Sequence, residues 1–180
     1  MGGASFELAR KVPQVLGIDF SNSFIRTAQT LARRGTLRFP LKLEGALSEP
    51  SLAHIRPKTI GKRVCFRAGD ALDLPPVGMF DLVLAANLID RVRDPKKLLQ
   101  KVLPALVRPG GVLLLTSPYT WSKEFTPPSR WPTDSFSAIH KLLLPHFRLV
   151  HRQNLPFLLR EHRRKFQLTF ADATLWARTR

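Results

Sequence analysis

Apolar positions along the chain fall into runs of two kinds, and their order predicts the architecture. From residue 80 the chain is almost continuously apolar through Leu82, Val83, Leu84, Ala85, Ala86, Leu88 and Ile89, the pattern of a strand covered on both faces. Asp94 and Pro95 then signal a helix start, a capping carboxylate followed by a proline whose missing donor costs nothing at the first helical position. Leu98, Leu99, Val102, Leu103 and Leu106 recur at helical spacing, Pro109-Gly110-Gly111 marks a stop, and residues 112–116 form a second apolar strand. Strand, helix, strand in this order implies a right-handed crossover in a parallel sheet. Ligands of such sheets bind beyond the carboxyl ends of the strands, where Asn87, Asp90, Arg91, Ser117, Tyr119 and Trp121 fall.

The flanking segments extend the pattern. Residues 4–10 read as a short helix after Gly2-Gly3, and residues 14–20 as an apolar strand that reaches Asp19. Ser21 or Ser23 caps the next helix, whose inner face is Phe24, Ile25, Ala28, Leu31 and Ala32, with Gly35 after its end. Residues 36–62, with prolines at 40, 50 and 57, read as an irregular inserted loop carrying one short strand. Residues 63–68 are a strand closed by Gly69-Asp70, and residues 75–78 are a turn. Beyond Trp121, residues 122–132 form a proline-rich loop and residues 135–144 a short helix. Residues 147–155 and a segment ending at 174–177 read as two late antiparallel strands.

Composition narrows the classes. At 180 residues and 44% hydrophobic, the chain suits one domain with a real core, taken as residues 1–180. The single cysteine, Cys65, sits between Val64 and Phe66 and reads as a buried structural thiol, which excludes a disulfide framework. No apolar run reaches the length of a membrane span and residues 1–10 lack the apolar centre of a signal peptide, so the expected setting is the cytoplasm, with no membrane partner. The five histidines show no ligand spacing, and no metal is expected. Lys plus Arg number 29 against 13 Asp plus Glu, a formal charge of +16. Such a surplus favours anionic partners, nucleic acid among them, but the basic residues are scattered without the aromatic interleaving of a single-strand groove.

Three polar strand ends carry candidate chemistry: Asp19 in GIDFS, Asp70 in AGDA and Asn87 in AANLIDR. A carboxylate after the second strand of a nucleotide-binding unit accepts both ribose hydroxyls, and one a strand away takes an adenine amino group. A glycine pair before a helix admits close approach of a ligand to backbone amides. In order and spacing these features resemble a class I S-adenosylmethionine-dependent methyltransferase. More specifically, SFELAR, GIDFSNSFIRTAQ, GDALDLP, FDLVLAANLIDR, PGG, LTSPYTW, EFTP and PFLLREHRRKFQ resemble the methyltransferase domain of ovothiol biosynthesis, a 4-mercaptohistidine N1-methyltransferase.

The resemblance implies an α/β Rossmann-like three-layer sandwich, with a mostly parallel sheet and a late antiparallel strand. It implies S-adenosyl-L-methionine as cofactor, bound through Gly2, Gly3, Asp19, Phe20, Ser21, Asp70, Ala71 and Asn87. The reaction it implies is methyl transfer to an imidazole nitrogen of 4-mercaptohistidine (5-thiohistidine), with Asn87, Asp90 and Tyr119 at the reacting groups and Arg91, Trp121, Arg160 and Glu161 on the substrate. Sulfoxide synthase and lyase enzymes of the pathway are the implied partners. The family's domain opens with a further strand and a D-x-G-x-A-x-G loop, of which Gly2-Gly3 is the part matched here, so the sheet is expected to lack its central first strand. The segment after Trp131 is also shorter than the family's. An RNA- or protein-directed methyltransferase and a catalytically impaired fragment are the alternatives.

Overall fold

The computed structural model describes residues 1–179, which divide into two compact units: Met1–Asp73 with Arg160–Phe166, and Leu74–Leu159 with the chain from Gln167 onward. In the first unit, β1 (Val15–Asp19) pairs in parallel with β4 (Val64–Ala68) in unbroken register from Val15 opposite Val64 to Asp19 opposite Ala68. α1 (Gly3–Leu8) and α2 (Asn22–Arg34) supply Phe6, Ile25, Ala28 and Leu31 to a core that also takes Ile55, Ile60 and Phe66. Phe6 meets Phe66 edge to face, with ring centres 5.4 Å apart, the arrangement that places a ring's positive edge on its neighbour's negative face. Ser21 caps α2 by accepting from the Phe24 amide at 3.3 Å, and Gly35 ends the helix with φ at 76°, a left-handed turn that glycine adopts without strain.

Residues 36–62 depart from the expected irregular loop. They fold as a hairpin of β2 (Thr36–Glu44) and β3 (Leu47–His54), followed by a 3-10 helix over Lys58–Arg63. Leu37, Phe39, Leu41 and Leu43 alternate with polar or proline positions, a strand period that the prolines obscured. Pro40 lies directly opposite Pro50, so the two missing donors are confined to one rung of the ladder. Cys65 is a second correction. It is exposed, because its neighbour Phe66 takes the core face of β4 and successive side chains point to opposite faces.

The second unit is built on the sheet order β5-β6-β8-β7. β5 (Phe80–Ala86) runs parallel to β6 (Val107–Ser117), and β6 runs antiparallel to β8 (Lys165–Arg178). β7 (Phe147–His162) joins β8 through Arg163-Arg164. The helix between β5 and β6 covers residues 95–106, with a π-helical turn at Leu98–Val102, and its cap is as expected: Asp94 accepts from the Lys97 amide at 2.9 Å. It ends at Leu106 rather than at Pro109-Gly110-Gly111, which instead lie in β6 where the pairing with β5 shifts register. Trp176, Phe147, Ile89, Leu98, Leu99, Leu113, Leu115, Ile139 and Leu143 are the largest apolar side chains buried here.

Both parallel pairs and the late antiparallel strand are therefore present, but the strands form three sheets among the described residues where one was expected. Among the same residues no helix is long and apolar enough to cross a membrane.

Candidate functional site

In the first unit the candidate cofactor residues sit on turns that follow β1 and β4. Asp19 ends β1, and its Oδ1 accepts from the Ser21 amide at 2.8 Å, fixing a tight turn two residues long. Phe20, at its crest, is 80% exposed. The Gly69 amide donates to the Asp19 carbonyl at 3.0 Å, which brings the ends of β1 and β4 together. Asp70 repeats the turn, its Oδ1 accepting from the Leu72 amide at 2.8 Å, with Ala71 half-buried between. Gly2 precedes α1 with φ at 75°, and a Cβ there would stand 2.9 Å from Cζ of Phe66. Gly3 meets nothing within 4 Å. Gly2, Asp19, Phe20, Ser21, Asp70 and Ala71 thus share one unit, and two of its strand ends carry a carboxylate.

Arg160 and Glu161 lie in the β7–β8 turn region, which belongs to this unit. The Arg160 guanidinium stands 5.9 Å from the Phe166 ring centre, and Glu161 pairs with Lys165 at 2.8 Å.

The second unit gathers a different set at the carboxyl ends of β5 and β6. Asn87 takes φ at 49° and Tyr119 φ at 54°, the two non-glycine residues with positive φ among the described residues. Asparagine tolerates that region, whereas a bulky aromatic there is strained, and such strain collects at functional sites. Thr116 donates to Oδ1 of Asn87 at 3.1 Å. Asp90 is buried to 1% exposure and accepts from the Ser117 hydroxyl at 3.2 Å; the same hydroxyl oxygen accepts from the Tyr119 amide at 3.0 Å. Arg91 stands 3.9 Å from Asp90 and 5.6 Å from the Phe125 ring centre. The Trp121 indole donates to Ser135 at 2.9 Å, and Thr126, fully buried, donates to the Val92 carbonyl at 2.7 Å.

Sequence reasoning missed the pair that organises Tyr119. Its hydroxyl donates to Oδ2 of Asp172 at 2.8 Å, and Arg152 donates through Nε to both oxygens of that carboxylate, at 3.0 and 3.1 Å. Burial and then the Asp172 hydrogen bond push the Tyr119 phenol well above its ordinary range, so it stays protonated and cannot serve as a base near neutral pH. Asp172 also raises the Arg152 pKa. A signal was available: Asp172 interrupts the apolar run Ala171, Ala173, Leu175, Trp176, and a carboxylate buried in a strand requires partners. Asn87, Asp90, Arg91, Tyr119 and Trp121 all lie within this unit, so the motifs NLIDR, SPYTW and EFTP meet in one network. Its chemistry is positional: a neutral phenol, buried carboxylates already bonded, and cations at the rim.

Comparison with known proteins agrees with this architecture. Residues 1–115 match the family model described as a methyltransferase domain. The structure is similar to the N-methyltransferase NodS from Bradyrhizobium japonicum WM9 in complex with S-adenosyl-L-homocysteine, at 14% identity and a TM-score of 0.62, over 99% of this chain and 74% of that one. It is similar to a SAM-dependent methyltransferase from Methanosarcina mazei at 17% identity and a TM-score of 0.62, over 99% and 88%. A protein described for conversion of a disulfide bond into a thioacetal group during echinomycin biosynthesis aligns at 18% identity and a TM-score of 0.64, over 99% and 72%. No curated protein matches the chain. At these identities the solved structures speak for the fold, and the family match covers well over half of the chain; the chain belongs to the methyltransferase-domain family, with S-adenosyl-L-methionine as its cofactor.

Proposed function

We propose that the protein methylates an imidazole nitrogen of 4-mercaptohistidine (5-thiohistidine), the reaction of ovothiol biosynthesis. What carries the reading is that NLIDR and SPYTW, two of the segments most specific to the ovothiol domain, share one network with EFTP through Asp90, Ser117, Tyr119, Arg91 and Phe125. The donor set also suits the cofactor. Asp19 is an exposed carboxylate with one turn amide on it, which leaves capacity for ribose hydroxyls. Phe20 and Ser21 flank it, Asp70 and Ala71 take the adenine, and Gly2 and Gly3 complete the set within this unit. When bound, the cofactor supplies a methyl group on an electrophilic sulfonium.

The chain's own task is then alignment and exclusion of water. Neutral imidazole nitrogen needs no strong base, in keeping with a phenol held protonated. The harder problem is presenting nitrogen rather than the more nucleophilic sulfur. Asn87, Asp90 and Tyr119 orient the ring, and Trp121 contacts the acceptor beside them. Pathway sulfoxide synthase and lyase enzymes supply the acceptor. Incubation with labelled S-adenosylmethionine and 5-thiohistidine should yield N-methylated product; cofactor binding without product rejects this acceptor.

A second reading, an RNA-directed methyltransferase, draws on the +16 charge and on a groove of the first unit lined by Arg33, Lys58 and Lys62. It requires RNA affinity that falls steeply with salt, and salt-indifferent or absent binding rules it out.

A further inference from the structure

Arg152 is a cation held in one posture. It extends from β7, its Nε is fixed on both oxygens of Asp172, and its guanidinium lies 3.5 Å from the centre of the Phe136 ring. The pair is lopsided: the Asp172 side chain is 7% exposed, the Arg152 side chain 46%. The anion is inside and the cation faces out. A guanidinium carries five N–H donors in a rigid plane, and one of them is committed to Asp172 through Nε. The remaining edge matches a carboxylate in bidentate geometry, and a side chain already stacked and bonded loses little freedom when it binds.

Tyr119 adds a second constraint. Its single O–H is given to Asp172, so toward any ligand the phenol oxygen offers lone pairs alone. It can accept from an N–H and cannot donate. One buried carboxylate therefore sets both the place of a cation and the polarity of a phenol.

We propose that Arg152 anchors the carboxylate of the methyl acceptor while the Tyr119 oxygen accepts from an N–H of the same molecule, with Asp172 as the positioning residue for both. The ligand class is a free amino acid bearing a ring or amine N–H, and the assignment rests on the reading that this chain methylates such a molecule. Arg152 takes this role ahead of Arg91, whose guanidinium stands 3.9 Å from Asp90 with no bidentate support, and of Arg160 in the β7–β8 turn region.

L-histidine and histamine differ only in the carboxylate, and their affinities for the full chain loaded with S-adenosylhomocysteine test the anchor directly. The wild type should prefer histidine at least tenfold. Arg152→Met should bring the ratio to about one with cofactor affinity unchanged, and Arg152→Lys, which keeps the charge but loses the fork, should retain part of it. Asp172→Asn should lower the ratio and Asp172→Glu restore part of it, a rescue that a purely structural carboxylate would not produce. Tyr119→Phe should weaken both ligands alike and leave the ratio intact. A wild-type ratio near one, binding of neither ligand, or a ratio that survives Arg152→Met overturns the proposal. Should Arg152→Met fail to fold, the ratio in Arg152→Lys decides by the same criterion. Turnover of 5-thiohistidine by the wild type is read separately: no product with an intact histidine preference rejects the acceptor and leaves the anchor standing.

Discussion

The candidate cofactor carboxylates of the first unit and the candidate acceptor residues of the second satisfy their polar groups over very different chain distances. In the first, the carboxylates of Asp19 and Asp70 each bond an amide two residues ahead. In the second, Ser117 reaches Asp90 across 27 residues, Thr116 reaches Asn87 across 29, and Tyr119 reaches Asp172 across 53. A two-residue turn can form before any sheet exists, whereas the long bonds exist only once β5, β6 and β8 are assembled. Asp19 and Asp70 are thus attached to their unit's surface, whereas Asp90, Ser117, Tyr119 and Asp172 are continuous with their unit's core. Substitutions of these two carboxylates should change binding and spare stability; in the second set they should move both.

The largest effect that tests this contrast is Trp176→Ala. Trp176 is fully buried in the sheet that carries Asp172 and whose β6 ends two residues before Tyr119, and its indole donates to Thr174 at 2.8 Å. Truncating a buried tryptophan costs about 3–5 kcal/mol, and denaturant unfolding should register a loss of that order. A loss under about 1 kcal/mol would mean that this core is not packed as described.

Next in size is a pair of glycines in the first unit. A Cβ at Gly61 would stand 2.0 Å from the Ala32 carbonyl oxygen, a backbone atom that cannot swing aside. Overpacking costs typically about 1–3 kcal/mol, and Gly61→Ala belongs at the upper end. Gly3→Ala meets open space in α1 and should be neutral or stabilising by up to about 1 kcal/mol. Thermal melts of the two variants should separate clearly; similar melts would show that α2 does not approach the 3-10 helix so closely.

The same contrast explains what was legible in the sequence. The helix cap at Asp94 and the cap at Ser21, one of the two serines the spacing allowed, rest on neighbours within three residues, and both were read from residue type and spacing. The β5–helix–β6 crossover was legible because its apolar period is uninterrupted. The β2–β3 hairpin was not, because Pro40 and Pro50 read singly as breakers and become harmless only when paired opposite one another. Cys65 was misplaced because apolar neighbours in sequence do not fix which face of a strand a residue takes. Arg152 and Asp172 were overlooked for the deepest reason: 20 residues apart on neighbouring strands, they meet only through strand register.

Asp19→Ala sharpens the first half of the comparison. Loss of a charge-assisted hydrogen bond costs about 1.5–3 kcal/mol, so S-adenosylhomocysteine affinity should fall roughly 10- to 100-fold in titration calorimetry. Because Asp19 is exposed, unfolding without ligand should change by no more than about 0.5 kcal/mol. Unchanged affinity would remove Asp19 from the cofactor site, and a large stability loss would erase the distinction between the units.

The smallest effect at neutral pH concerns Tyr119, and it becomes visible only in alkali. The chain has a single tyrosine, so ultraviolet absorbance reads its ionisation without overlap from another phenol. Burial first, then the Asp172 hydrogen bond, hold the folded phenol above the ordinary value of about 10. The folded state then keeps this proton more tightly than the unfolded chain does. The resulting stability is fully present below about pH 10 and declines as pH rises from there toward the folded pKa, since the unfolded chain now binds fewer protons. At pH 7 both states are protonated, and no pH dependence of stability arises from this group. Asp172→Asn removes the charge that draws in the proton while leaving the ring buried. The folded titration should move back toward the ordinary range and the alkaline decline should become shallower. Phenolate forming near pH 10 in the intact native protein would mean that Tyr119 faces water and is not tied to Asp172, and this residue would then be as loosely attached as Asp19.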